Sequence, residues 1–264
     1  IVERMKTAYG REHFEETGED YTVKVSMLRD RAVISIDTSG AGLHKRGYRT
    51  AGVEAPIKET MAAALVQLSF WKSDRVMVDP CCGSGTIPIE AALMAKNIAP
   101  GLNRSFASEG WSIIPGNIWK EERKKAFEVI ACRENLADGL KIYAGDIDTS
   151  AIAAAKENAA EAGVDDIMHF DRADIKRLLP EITEDDAIIV TNLPYGERIG
   201  SNEEIEGIYR ALRKGLADNS RWSLFAITSD KTMERAIGRK ADRRRKLYNG
   251  NIETTYYQFH GKKR

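Results

Sequence analysis

The sequence predicts an α/β fold: a doubly wound, mostly parallel sheet closed by a C-terminal antiparallel hairpin. Two observations carry that prediction. From Arg75 onward, short apolar runs alternate with helix-period segments, the pattern of parallel strands joined by right-handed crossovers. Near the end the alternation stops, and two strand-like runs flank Asn249-Gly250, a favoured hairpin turn. With 264 residues, 42% of them hydrophobic, the chain can bury one large core and carry a small appendage.

In order, residues 21–37 ("YTVKVSMLRDRAVISID") read as a two-stranded hairpin and 38–49 ("TSGAGLHKRGYR") as a basic, glycine-rich connector. "RVMVDP" (75–80) is the first buried strand, followed by a helix through 86–97. Residues 98–139 interrupt the alternation with "APGLNRSFASEGW", "IPGNIW" and a charged helix from Lys120. The second strand is 140–148, followed by an alanine-rich helix over 150–163 with Gly163 at its end. Residues 167–174 and 186–195 are the third and fourth strands, 205–218 an amphipathic helix, and 222–229 a fifth strand.

Composition excludes several classes. Lys+Arg and Asp+Glu both number 40, so nucleic-acid binding must rest on local patches. No apolar run reaches the roughly 18 residues of a membrane span, and the reading is a soluble, cytoplasmic protein. Three cysteines make no disulfide framework, and no zinc spacing is present, so no metal is expected. The chain starts "IVERMKTAYG" without a Met, as a piece of a longer protein would.

"DPCCGSGT" (79–86) joins the first strand to its helix, where open parallel sheets bind ligands. Gly83 and Gly85 permit tight turns and close ligand approach, and the helix beginning at Thr86 offers free N–H groups. The spacing lacks the lysine of a nucleoside-triphosphate loop and the third glycine of the dinucleotide fingerprint. Asp79 suits a cationic group such as the ammonium of S-adenosylmethionine (SAM). Asp146, in "GDID", can accept both hydroxyls of a ribose, and Asp174, in "RAD", an adenine amine; either also suits a helix N-cap. Asp148 divides between cap and cofactor contact. Cys81 and Ile147 complete the candidate cofactor positions; Cys81 and Cys82 read as small packing residues rather than nucleophiles.

Asn192-Leu193-Pro194-Tyr195 follows the fourth strand and resembles the (Asp/Asn)-Pro-Pro-(Tyr/Phe) motif of amino-methyltransferases. A base amine is a poor nucleophile because its lone pair is delocalised. The Asn192 oxygen and the carbonyl of Leu193 or Pro194 can accept its N–H bonds and aim that lone pair, which is catalysis by positioning and placed dipoles. Tyr195 offers an aromatic face to a flipped or unstacked base. Asn192 also borders the cofactor. Leu193 in place of the first proline is expected to loosen the loop slightly while keeping the acceptor.

These residues, with "DTSGAGLHKRGYR" (37–49), "APIKETMAAAL" (55–65), "NIAPGLNRSFASEGW" (97–111) and "LYNGNIETTYYQF" (247–259), resemble the THUMP-domain-containing guanine-N2 methyltransferases of large-subunit ribosomal RNA, the UPF0020 group. The resemblance spans nearly the whole chain, and the "IAPGLNR…F" insert is its most discriminating part. It implies a Rossmann-like class I methyltransferase fold with a seven-stranded sheet, SAM as cofactor and RNA as partner. It also implies a methyltransferase domain at 51–264 behind a remnant of the THUMP region and a connector at 1–50. Asp79, Gly83 and Gly85 would hold the methionine end of SAM, Asp146 its ribose and Asp174 its adenine. Pro56, Lys58 and Thr60 would close over the cofactor.

Arg198, three residues beyond Tyr195, suits phosphate or guanine as well as a surface ion pair. His44, Lys45, Arg46 and Arg49 suit phosphate contact, as do the 11 basic residues between Lys231 and Arg264. The alternatives left open are a DNA adenine-N6 or tRNA guanine-N2 methyltransferase, an inactive RNA-binding or assembly module on the same fold, and, disfavoured by glycine spacing, a nucleotide-cofactor oxidoreductase.

Overall fold

Strands covered on both faces must be apolar on both sides, and the central strands here are. The computed structural model describes residues 1–15, 17–50, 57–130, 136, 140–194 and 202–262. Its elements begin with α1 (Val2–Tyr9), β1 (Thr22–Leu28), β2 (Arg31–Asp37), α2 (Glu59–Leu68), β3 (Met77–Asp79), α3 (Thr86–Ala95) and α4 (Gly116–Glu128). They continue with β4 (Ile142–Asp146), α5 (Thr149–Glu161), β5 (Met168–Arg172), α6 (Ile175–Glu181), β6 (Ile188–Asn192) and α7 (Asn202–Asp218). Last come β7 (Ser223–Thr228), α8 (Met233–Ile237), β8 (Arg243–Asn249) and β9 (Ile252–Phe259).

The chain forms two compact units, Ile1–Gly42 with Ser105–Lys124, and Leu43–Arg104 with Lys125–Arg264. In the first, β1 and β2 make a hairpin closed by Arg29 and Asp30, both at positive φ (49° and 60°), a primed turn built without glycine. Tyr21 stacks on Trp111 at 4.7 Å, and the Trp111 indole N–H donates to the Asp20 carbonyl at 3.0 Å. Part of the insert that breaks the sequence alternation thus belongs to the hairpin's unit.

The second unit holds a seven-stranded sheet in the order β5-β4-β3-β6-β7-β9-β8, parallel except for β9 and β8. Alternate residues of one strand enter different cores. Ile188 and Val190 pack with Ile87, Ile152 and Tyr256 on one face; Ile189 packs with Leu178, Leu212 and Trp222 on the other. This is the seven-stranded, doubly wound arrangement that the sequence predicts. The terminal turn sits one residue later than expected: Asn249 pairs with Ile252, so Gly250 and Asn251 make the loop, with Gly250 supplying the positive φ of 61°. The charged helix begins at Gly116 rather than Lys120 and ends at Glu128. Gly163, at φ 68°, terminates α5 as expected, with the Val164 N–H closing on the Ala159 carbonyl at 3.0 Å.

Two connector arginines turn inward. Arg46 Nε donates to Glu90 Oε1 at 2.8 Å, with side chains 10% and 3% exposed, and the Tyr48 hydroxyl donates to the same oxygen at 3.0 Å. Burial pushes the Glu90 carboxyl above its usual range, and Arg46 opposes that push. Arg49 donates to the Ile57 carbonyl at 2.8 Å and to Thr86 Oγ1 at 2.9 Å. Both guanidinium groups are thus engaged by partners within the fold. We predict that Arg46→Ala lowers stability in urea unfolding by about 3 kcal/mol, because it strands a buried carboxylate. Pairing it with Glu90→Leu should restore most of the loss.

Candidate active site

Three acids and an amide come to one edge because four adjacent parallel strands end there. Asp79 ends β3, Asp146 ends β4, Asn192 ends β6, and Asp174 follows β5 by two residues. The strand order reverses between β3 and β6, which opens a crevice at their carboxyl ends. A cleft of about 430 Å³ occupies it, lined by Cys81, Gly83, Asp146, Ile147, Asp148, Asp174, Asn192 and Pro194 among others.

Asp146 fastens two loops. Its Oδ2 accepts from the Gly83 N–H at 2.9 Å and its Oδ1 from the Asp148 N–H at 3.0 Å. Asp148 caps α5 through the Ser150 N–H at 2.8 Å, and Asp174 caps α6 through the Lys176 N–H at 2.9 Å. Both also face the cleft, so cap and ligand contact are compatible. Ile147, 66% exposed, joins Ile175, Ile205 and Ile208 in apolar walls suited to a flat ring. The sequence reading missed Ile175, Ile205 and Ile208; a place in the first two turns of a helix after a strand was the available signal.

Several expected contacts stand behind the cleft. Gly85, at φ 80°, is outside its lining; a Cβ there would meet the Ala155 Cβ at 3.0 Å, so this glycine lets α3 approach α5. Thr86 is buried and accepts from Arg49. Asp79 is 1% exposed and accepts from the Cys81 N–H at 3.2 Å. Burial pushes its carboxyl up to about 7, against the Thr191 hydroxyl and the Cys81 amide, with the Asp146 charge adding to the rise. Burial also raises the Cys81 and Cys82 thiols, keeping them protonated packing groups.

Asn192 lines the cleft, and its Oδ1 is buried without a hydrogen-bond partner among the described residues. Leu193 is 2% exposed, with its side chain in the core, and its N–H donates to the Ile227 carbonyl at 3.2 Å. A proline lacks that N–H, so leucine fastens the loop to β7 where loosening was expected. Tyr195, Arg198 and Pro56 lie outside the described residues. Lys58 is the N-cap residue of α2, and Thr60 lies in its first turn. Of the connector's phosphate candidates, Lys45 is exposed. Among the described residues, no group of three potential metal ligands occurs, and no helix is long and apolar enough to cross a membrane.

The model of the UPF0020 family, RMKL-like methyltransferase domain, matches residues 46–258. The chain belongs to that family. It is 46% identical over 266 residues to "Putative RNA methyltransferase YpsC" of Bacillus subtilis (strain 168), covering all of this chain and 68% of that protein. It is 35% identical over 255 residues to "Ribosomal RNA large subunit methyltransferase K/L" of Syntrophotalea carbinolica, covering 91% of this chain and about a third (34%) of that protein. Among solved structures, "SMU.472, a putative methyltransferase complexed with SAH" (SAH, S-adenosylhomocysteine) superposes with a TM-score of 0.88 at 37% identity, covering all of this chain and 68% of that one. The methyltransferase domain is SAM-dependent, and its residues fit that cofactor: carboxylates at the ends of β4 and β5, apolar walls between them, and an orphaned amide oxygen beyond.

A cationic ligand end drawn toward Asp79 favours its ionised form. SAM affinity is therefore expected to fall about tenfold between pH 8 and pH 6, as that carboxyl takes up its proton near 7. Asp79→Asn should flatten the profile in calorimetric titrations. An affinity independent of pH in the unaltered chain would put Asp79 out of the ligand's reach.

Proposed function

We propose that this domain methylates RNA, forming N2-methylguanosine in 23S ribosomal RNA by direct transfer to the exocyclic amine. The observation that carries the reading is the Asn192 Oδ1: a buried acceptor without a partner, in the wall of the cleft that holds Asp146 and Asp174. An unsatisfied buried acceptor costs about 1–3 kcal/mol, and such groups persist where function uses them. Here the oxygen accepts an amine N–H of the target base, and the Leu193 or Pro194 carbonyl accepts the other. Tyr195 supports the ring. Asp146 takes the ribose hydroxyls of the cofactor and Asp174 its adenine amine. Bound SAM supplies an electrophilic methyl group; the chain's own part is to orient the amine and exclude water.

The relatives' names support RNA, and the K/L name supports the large subunit. The chain spans only part of those proteins, so substrate choice is a property of this reading rather than of the match. Residues 1–50 are assigned to a remnant of a THUMP region and its connector, and 51–264 to the catalytic domain with Ser105–Lys124 as an insert grouped with the hairpin, acting in the cytoplasm where ribosomal RNA resides.

The test is labelled SAM with 23S ribosomal RNA, transfer RNA and duplex DNA in parallel, followed by nucleoside mass spectrometry. N2-methylguanosine in the ribosomal RNA is expected. N6-methyladenine in the DNA alone would overturn the reading, and methylguanosine in transfer RNA alone would move the substrate. Asn192→Ala should lower turnover at least 100-fold while SAM affinity stays within about twofold. Unchanged turnover in that variant would remove Asn192 from the chemistry.

A further inference from the structure

Next to the cofactor cleft lies a larger cavity of about 720 Å³, and Pro194 and Ile205 belong to the walls of both. One side is α7, which presents Arg210 and Arg213 three residues apart and hence on neighbouring positions of one helix face. The opposite side is α8, which presents Arg235; Ser229 and Asp230, past the end of β7, lie between them. All three arginines are exposed.

Three arginines outnumber the two acids on the cavity wall among the described residues. Asp230, its nearest carboxylate to the strand end, is already used: Oδ2 accepts from the Tyr209 hydroxyl at 2.7 Å, and Oδ1 from the Thr232 N–H at 2.7 Å. Burial raises that carboxyl, but these hydrogen bonds, with the Arg235 charge adding to them, outweigh burial and hold it ionised, below its ordinary range. Glu206 is the other acid on the wall. Arg213 is seated by backbone geometry: a Cβ on Gly238, which stands at φ 84°, would come within 3.2 Å of the Arg213 Nε and 3.3 Å of its Cζ. The guanidinium therefore lies close over the Gly238 backbone. Guanidinium groups match phosphate oxygens in planar, paired hydrogen bonds.

We infer that this cavity holds the phosphodiester backbone flanking the target nucleotide of a single-stranded RNA segment, through Arg210, Arg213 and Arg235. The inference rests on the RNA reading above and gives it a second site. A base seated against Asn192 must trail its own sugar and phosphates past Pro194, and Pro194 is where the two cavities meet. Such contacts position the strand and carry no sequence information.

The test uses the full chain, an unstructured single-stranded RNA oligomer and a 23S ribosomal RNA transcript. Filter binding is measured between about 50 and 200 mM salt, with methyl transfer followed in parallel. Each phosphate contact on a single strand contributes about 0.7 to the slope of log affinity against log salt. The triple variant Arg210→Ala, Arg213→Ala, Arg235→Ala should lose about 2 from that slope and raise the KM for the transcript, with SAM affinity unchanged. The unaltered chain then loses roughly 15-fold more affinity than the variant across that salt range. The triple lysine variant should keep most of the slope, because lysine still supplies the point charge. Methyl transfer to RNA with slope and KM unchanged in the alanine variant overturns this inference and leaves the RNA reading standing. An arginine-dependent slope without methyl transfer supports the inference while the RNA methylation reading falls. No RNA binding by the unaltered chain at the lowest salt overturns both.

Discussion

The C-terminal edge of the sheet depends on one carboxylate. Asp146 ties the glycine loop after β3 to the turn after β4 by giving one oxygen to each backbone amide. Two parallel strands fix only the positions of their last residues; the loops beyond are held by whatever spans them. A carboxylate offers about four acceptor positions. Two are taken by amides, and the remainder can face a ribose. The choice between structural turn and ligand contact is therefore not exclusive here, and Asp148 and Asp174 repeat the point by capping helices while lining the same cleft.

Leu193 shows how a departure from a motif can conserve its mechanics by another route. Two successive prolines stiffen a loop by fixing dihedral angles and giving up an N–H. With leucine in the first position the N–H is kept, and it extends the pairing of β6 with β7 by one bond to the Ile227 carbonyl. The leucine side chain adds burial against the core under α7. Stiffness from covalent restriction is replaced by stiffness from a hydrogen bond and packing, and the Leu193 carbonyl remains an acceptor.

Most of the fold was legible because it follows from periodicity. The strand-to-helix alternation, the Gly163 helix end and the terminal hairpin are local signals, and the structure has them within a few residues. The acids at or just past the strand ends were legible for the same reason, since the carboxyl ends of parallel strands share one edge of the sheet. What could not be read was depth. Asp79, Gly85 and Thr86 belong to the glycine loop in sequence but stand behind the cleft: Gly85 meets α5 at Ala155, Thr86 accepts from Arg49, and Asp79 is buried and accepts from the Cys81 N–H. Arg46 and Arg49 looked like a surface cluster; their partners Glu90, Ile57 and Thr86 are up to 44 residues away. The grouping of Ser105–Lys124 with the N-terminal hairpin has the same origin, in pairings such as Tyr21 with Trp111 that no local pattern announces.

Zero net charge and polyanion recognition are compatible once the charges are located. The 40 basic and 40 acidic residues cancel over the chain, but recognition depends on the few that surround one cavity. Helix α7 makes that separation possible. Ile208 faces the cofactor cleft, Ile205 borders both cavities, Arg210 and Arg213 face the arginine cavity, and Leu212 is buried in the core, all within nine residues of one helix. At about 100° per residue Ile205, Ile208 and Leu212 share one apolar stripe, and Arg210 and Arg213 form a second beside it. An apolar stripe that borders a cofactor and a cationic stripe that borders a strand are thereby fixed to the same rigid rod. Their spacing is set by helix geometry, so the cofactor cleft and the arginine-lined cavity keep a constant relation along the rod, and Leu212 and Trp222 pack in the core that anchors it to the sheet.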